Sequence, residues 1–146
     1  MHDFLMAKQW LERARKDMLS AEHLLANLHP LPAEVVCYLS SQAAEKSLKA
    51  VLAYHTFRIP KTHIFKEIIK NLALVTDVIF IEEKIADTMT IYSLNTRYID
   101  DPRDFTEDDA HFAVKQSAKI MELVENYFSS KEATCQTGDS SPSCCV

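Results

Sequence analysis

The sequence predicts an all-α fold, an antiparallel up-and-down bundle of four main helices plus one short helix. Three observations point there. Apolar residues recur in steps of three and four through several long windows, the spacing of one face of a 3.6-residue helix. A single glycine, Gly138, occurs in 146 residues and lies near the C-terminus, so tight hairpin turns that rely on glycine have little to build on. Pro30, Pro32 and Pro60 fall between the periodic windows, where a residue without an N–H donor does least harm.

The first helix is carried by Phe4, Ala7, Leu11, Ala14, Met18, Ala21, Leu25 and Leu28, an unbroken apolar stripe, with Lys8, Glu12, Arg13, Lys16 and Asp17 on its other face. The segment "HPLP" ends it, and proline suits the first turn of the helix that follows. Helix two is expected to run to about Phe57. Its residues Val36, Leu39, Ala43, Ala44, Leu48, Val51 and Leu52 cover most of its circumference, as expected of a helix packed against several neighbours. Pro60 then breaks the chain, and Thr62 is placed to N-cap a short third helix carrying Ile64, Phe65, Ile68, Ile69 and Leu72.

Residues 73–80, "ALVTDVIF", fit strand or helix by composition and are read as a loop. Helix four uses Ile81, Ile85, Met89, Tyr92 and Thr96. Beyond the polar connection "YIDDPRDF", Thr106 and Asp109 form a variant capping box, with Phe105 placed to staple onto Ala110. Helix five continues through Ala113, Ser117, Ile120, Val124 and Phe128. The bundle is expected to occupy residues 1–129. Residues 130–146, rich in small polar side chains and without periodicity, are expected to form a disordered tail.

Composition narrows the function. A hydrophobic content of 47% in a chain of this length fits one soluble globular domain. No apolar run reaches the length of a membrane span, and "MHDFLMAKQW" lacks the features of a secretory signal, so a cytoplasmic location without membrane contact is expected. The scarcity of glycine removes phosphate loops of the P-loop and dinucleotide-binding types. A net charge of −5 argues against duplex DNA as a partner, since such binding neutralises phosphates with lysine and arginine. Charge is uneven, however. Residues 1–75 carry ten Lys/Arg against seven Asp/Glu, whereas residues 76–109 carry three against ten, so the first half can still hold a local basic site. Cys37, Cys135, Cys144 and Cys145 form no C-x-x-C pair, and the ending "SPSCCV" misses the prenylation spacing. His23, His29, His55 and His111 show no ligand spacing either, and neither a metal nor another cofactor is expected.

Helix two interrupts its apolar surface along one line. Gln42, Glu45, Lys46 and Lys49 share a face with Tyr38. That seam either meets water, where an i,i+4 Glu45–Lys49 pair contributes only about 0.2–0.5 kcal/mol, or it lines a functional groove. Near the end of helix four, the planar fork of Arg97 suits a phosphate and the ring of Tyr98 suits stacking on a base. Alternatively, Arg97 pairs with Glu45 or with the carbonyls ending its own helix. His63 fits a proton-transfer group or, more simply, a polar residue in the first turn of helix three. The ligand-binding candidates are therefore Arg97, Tyr98, His63, Lys46, Gln42 and Glu45, with no residue assigned as catalytic.

"WLERARKDMLSAEHLL", "SSQAAEKSLKAVLAYHTFRIPKTH" and "SLNTRYIDDPRDFTEDDAHFAVKQSAKIMELV" together resemble the HEPN family of small helical bundles, in order and spacing across about residues 1–129. "QAAEKSLKA" carries most of the resemblance, followed by "PKTH" opening helix three and "TRY" closing helix four. The resemblance implies a homodimer, or a complex with a minimal nucleotidyltransferase, and a nucleotide or single-stranded RNA site at the interface. It also implies that Gln42, Glu45 and Lys46 approach Arg97 in a groove. The ribonuclease branch of the family carries an arginine, four to six residues, then a histidine, at the start of its last long helices. This chain departs from that pattern. The next histidine after Arg97 is His111, with seven residues between it and Arg103, and the closer Arg58 and His63 lie at the helix two to three junction.

The expected function is thus a small dimeric nucleotide- or RNA-binding module, or a nucleotidyltransferase partner, within a toxin–antitoxin pair. Two alternatives stand beside it. One is a metal-independent ribonuclease using Arg97 or Arg103 with His63 or His111 at a non-standard site. The other is an oligomerisation domain without a ligand.

Overall fold

Five helices occur among the described residues: α1 Phe4–Asn27, α2 Ala33–Tyr54, α3 Phe65–Leu72, α4 Glu83–Leu94 and α5 Glu107–Thr137. The computed structural model describes residues 2–94 and 104–137, with side chains through residue 134. No strand occurs among them, and the chain is the all-α bundle its periodicity predicts.

α2 is the axis of the bundle. Seventeen of its 22 residues are buried, and α1, α3, α4 and α5 all pack on it. Val36, Leu48, Val51 and Leu52 are completely enclosed, each such side chain contributing about 1.5–3 kcal/mol relative to exposure. Around the N-terminal half of α2 the packing surface is made of small hydroxyls. Ser93 Oγ of α4 donates to Ser41 Oγ at 2.9 Å, Ser41 Oγ donates to the Tyr38 carbonyl at 2.7 Å, and Ser117 Oγ of α5 donates to the Ser40 carbonyl. Small side chains let the helices approach, and the Ser41, Ser93 and Ser117 hydroxyls are satisfied in the dry interior, whereas Ser40 Oγ has no partner among the described residues. Cys37 packs there, completely enclosed, and burial pushes its thiol up to about 12, with Asp109 and Glu34 adding to the shift.

The helix boundaries follow local chemistry. Asp3 caps α1, its carboxylate accepting from Met6 N at 2.9 Å. The capping box at α5 forms as the sequence predicts: Asp109 N donates to Thr106 Oγ1 at 3.2 Å and Thr106 N donates to Asp109 Oδ2 at 2.8 Å. Phe105 sits edge-on to Tyr92, ring centroids 5.2 Å apart. α5 continues past residue 129 to Thr137, beyond the bundle end expected from periodicity, with Thr134 Oγ1 donating to the Ser130 carbonyl at 2.8 Å. Residues 73–82 form the loop between α3 and α4, longer than the expected 73–80 because Ile81, expected in helix four, precedes α4 at Glu83.

Two expectations shift. α2 ends at Tyr54 rather than near Phe57, because Thr56 adopts a φ of 53° and closes the helix with a Schellman pair. In that pair Phe57 N donates to the Leu52 carbonyl at 3.0 Å and Thr56 N to the Ala53 carbonyl at 2.9 Å. α3 also starts later than expected, with Ile64 rather than Thr62 in the capping position. Its first turn is satisfied from a neighbouring helix, Phe65 N donating to Thr90 Oγ1 of α4 at 2.9 Å. Thr62 Oγ1 instead accepts from Ile64 N at 3.1 Å, a local turn that precedes the helix.

Candidate functional site at the corner of α2 and α3

Burial decides between the two readings of the polar seam. Gln42, Glu45 and Lys49 are 7%, 3% and 6% exposed, so the reading of a solvated face is wrong. A buried charge persists only where it is paired and hydrogen-bonded, and Glu45 is the centre of such a network. Its Oε1 accepts from Lys49 Nζ at 2.7 Å, one helical turn on. Its Oε2 lies 3.0 Å from His63 Nδ1 and accepts from Gln42 Nε2 at a longer 3.4 Å. Lys49 donates a second proton to the Thr62 carbonyl at 3.0 Å, which ties the connection between α2 and α3 onto α2, and lies 5.9 Å from the ring centroid of Trp10 on α1.

Each side chain is placed by a separate device. α2 sets Gln42, Glu45 and Lys49 on one face. The left-handed turn at Thr56 sends the chain back along the helix, and the Lys49 to Thr62 bond fixes it where the imidazole of His63 meets Glu45. A carboxylate only accepts, so Nδ1 of His63 carries the proton in this contact. The His63 side chain is 35% exposed while its anchor is enclosed. A buried carboxylate that orients a partly exposed imidazole is the arrangement used to position a general acid or base.

The sequence-predicted residues divide accordingly. Gln42, Glu45 and His63 come together. Lys46 does not join them: it projects about 100° away around α2, toward α1, and pairs with Asp17 at a half-buried position. His63 precedes α3 and does not sit in its first turn. Arg97, Tyr98 and Arg103 lie outside the described residues, and the convergence of Arg97 with the seam lies there with them. Lys49, Thr62 and Trp10 join the network without having been ligand-binding candidates on sequence. For Lys49 the signal is present, since it shares the face of Glu45 at i+4. For Thr62 and Trp10 it is not, because their roles depend on where the connection and α1 come to rest.

A larger cavity of about 660 Å³ opens elsewhere, between α1 and α5. Phe4, Leu11 and Phe128 line it with Lys8 and Glu125, but none of the described sequence-predicted residues does. Its polar lining, Lys8, Arg15, Glu125 and Glu132, includes none of the Glu45 network. Among the described residues no three metal-binding side chains converge, and no helix is long and apolar enough to cross a membrane.

The family model for the HEPN domain matches residues 7–127. The chain belongs to the HEPN family. A search of curated proteins finds no match. Among solved structures, this HEPN chain is similar to TT1696 from Thermus thermophilus, at 26% identity and a TM-score of 0.67 over 82% of this chain and 96% of the other. It also shares its fold with ST0689, an archaeal HEPN homologue, at 20% identity and a TM-score of 0.59 over 83% of this chain and 96% of that one. The Glu45 network thus lies inside the HEPN unit, within the most buried helix of the bundle.

Proposed function

We propose that this HEPN protein is a dimeric module that binds a nucleotide or single-stranded RNA, and that its protein partner is a minimal nucleotidyltransferase in a toxin–antitoxin pair. The observation that supports it is the enclosed Glu45, which holds Lys49 and a partly exposed His63 at one corner of the bundle. Such a corner presents a fixed polar edge to a ligand at little reorganisation cost. In this reading Arg97 meets a phosphate and Tyr98 a base. The test is thermal melting of the full chain with ATP, GTP and a single-stranded RNA, in wild type, His63→Ala and Arg97→Ala. A ligand that binds only the folded state raises the melting temperature, and the two variants should lose that rise. A stable dimer that no nucleotide or RNA stabilises would mark a pure oligomerisation domain instead.

The oriented imidazole favours a second reading, a metal-independent ribonuclease in which Glu45 positions His63 for proton transfer. Labelled single-stranded RNA incubated in chelator decides it. Cleavage lost in a folded His63→Ala protein supports the enzyme, and an intact RNA with wild type removes it.

A further inference from the structure

We propose that Trp10 and Arg13 on α1 form a subsite for a nucleobase and its adjoining phosphate. Met6, Gln9, Trp10 and Arg13 stand at i, i+3, i+4 and i+7, one face of the helix, and enclose a surface recess of about 130 Å³. That is about the liquid volume of four waters, room for one flat ring system rather than a whole nucleotide.

The four side chains differ in chemistry, and each matches one part of such a ligand. The indole of Trp10 is half-buried, packed on the core and close to the ammonium of Lys49, so its position is fixed before any ligand arrives. Every base has a π-face that stacks on an aromatic ring. Met6 is 45% exposed, which puts a polarizable thioether at the edge of the recess, where sulfur contacts rings favourably. Gln9 carries both a donor and an acceptor for a base edge. Arg13, one turn from Trp10, is exposed and forms no ion pair among the described residues. Asp17, the acid one turn further on, is already engaged by Lys46. The Arg13 guanidinium therefore remains available to a phosphate, which it can grip through two parallel bonds.

The inference rests on the nucleotide-binding reading and deepens it, since Trp10 also touches the Lys49 end of the Glu45 network. Its readout is separate. Trp10 is the single tryptophan of the chain, so emission excited selectively over the five tyrosines reports on this one ring, and the Arg13 variants separate the recess from the Lys49 side of it. The full-length protein is titrated with inorganic phosphate, adenosine, AMP and a short oligoadenylate. AMP and the oligonucleotide should quench Trp10, adenosine more weakly, and phosphate not at all. Arg13→Ala should weaken AMP about tenfold, the loss of a hydrogen bond to a charged group. Calorimetry on Trp10→Leu should show AMP affinity lost by about tenfold or more, with Trp10→Tyr recovering much of it because a ring is restored. Equal affinity for AMP and oligoadenylate assigns the subsite to a free nucleotide, and a preference for the oligomer assigns it to a strand. Absence of quenching, or quenching unchanged in Arg13→Glu, overturns the subsite. If nucleotides or RNA still raise the melting temperature while Trp10 stays silent, the subsite falls and the nucleotide-binding reading stands; if neither signal moves, both fall.

Discussion

Two histidine clusters sit along α2, and they treat charge in opposite ways. At mid-helix, His63 faces an enclosed carboxylate that also holds Lys49. At the C-terminal end, His55 lies among rings: His2 stacks on Tyr54 at 4.5 Å, His55 meets both, and His55 Nε2 is 2.5 Å from the hydroxyl of Tyr127. Burial, with His2 and Lys131 nearby, lowers the affinity of His55 for a proton, and burial lowers that of His2. Burial likewise pushes the Tyr127 phenol up to about 12, so it remains a neutral donor or acceptor. The mid-helix cluster is therefore an ion pair enclosed in the bundle, whereas the terminal cluster disfavours protonation of its two imidazoles. Chemistry that needs a fixed charge belongs to the first.

The largest expected effect comes from unbalancing the charged cluster. Glu45→Ala leaves the Lys49 ammonium enclosed without its carboxylate and should cost about 3–5 kcal/mol in urea unfolding. Replacing both partners, as Glu45→Leu with Lys49→Met, should recover most of that loss, because an apolar pair of similar volume carries no desolvation penalty. A double variant as unstable as the single one would show that Glu45 acts through His63 and Gln42 rather than through Lys49.

The two clusters also differ in how far they can be read from the sequence. The α1 stripe and the Thr106–Asp109 capping box are legible because they depend on spacings of three and four residues. The seam is legible as a face, with Lys49 at i+4 from Glu45, but not as an interior, since its burial depends on where α1 and the connection to α3 come to rest. His63 stands 18 residues from Glu45, and their meeting depends on a left-handed turn at a threonine, where glycine would be the expected signal. The aromatic end is not legible at all, because it gathers residues from the N-terminus, the end of α2 and the C-terminal part of α5.

The neutral cluster should respond to pH. His2 and His55 bind protons less readily folded than unfolded, so the unfolded chain takes up protons first as pH falls below about 6.5. Their contribution to stability is thus intact above that pH and is lost as pH drops through it. Melting temperatures measured from about pH 7.5 to about pH 5 should fall, and His55→Gln should flatten the trend. Tyr127→Phe removes the hydroxyl partner of His55 and should cost about 1 kcal/mol. A pH trend identical in His55→Gln would move its origin to other groups.

Thr56 is a place where the chain can be improved. A β-branched residue at a φ of 53° is strained, and left-handed backbone costs about 1–2 kcal/mol outside glycine. Glycine at the same position relieves that cost but gives back roughly half through its freer unfolded state, so Thr56→Gly should stabilise by about 0.5–1 kcal/mol. A loss instead would mean that the threonine side chain contributes a contact that outweighs its backbone strain.

The smallest effect separates Lys46 from its neighbour. Lys46 follows Glu45 directly in sequence but projects about 100° away around the helix, its partner is Asp17, and both side chains reach water. An ion pair so placed is screened by salt and is worth about 0–1 kcal/mol. Lys46→Ala should therefore change unfolding by less than about 1 kcal/mol, and that small cost should shrink further in about 1 M salt. The lysine one turn away from Glu45 should behave in the opposite manner, since Lys49 is enclosed and its loss leaves a buried carboxylate facing, among the described residues, His63 and Gln42. If Lys46→Ala instead abolished nucleotide-induced stabilisation while leaving the fold intact, Lys46 would return to the ligand face, and the Asp17 pair would be a resting contact that the ligand displaces.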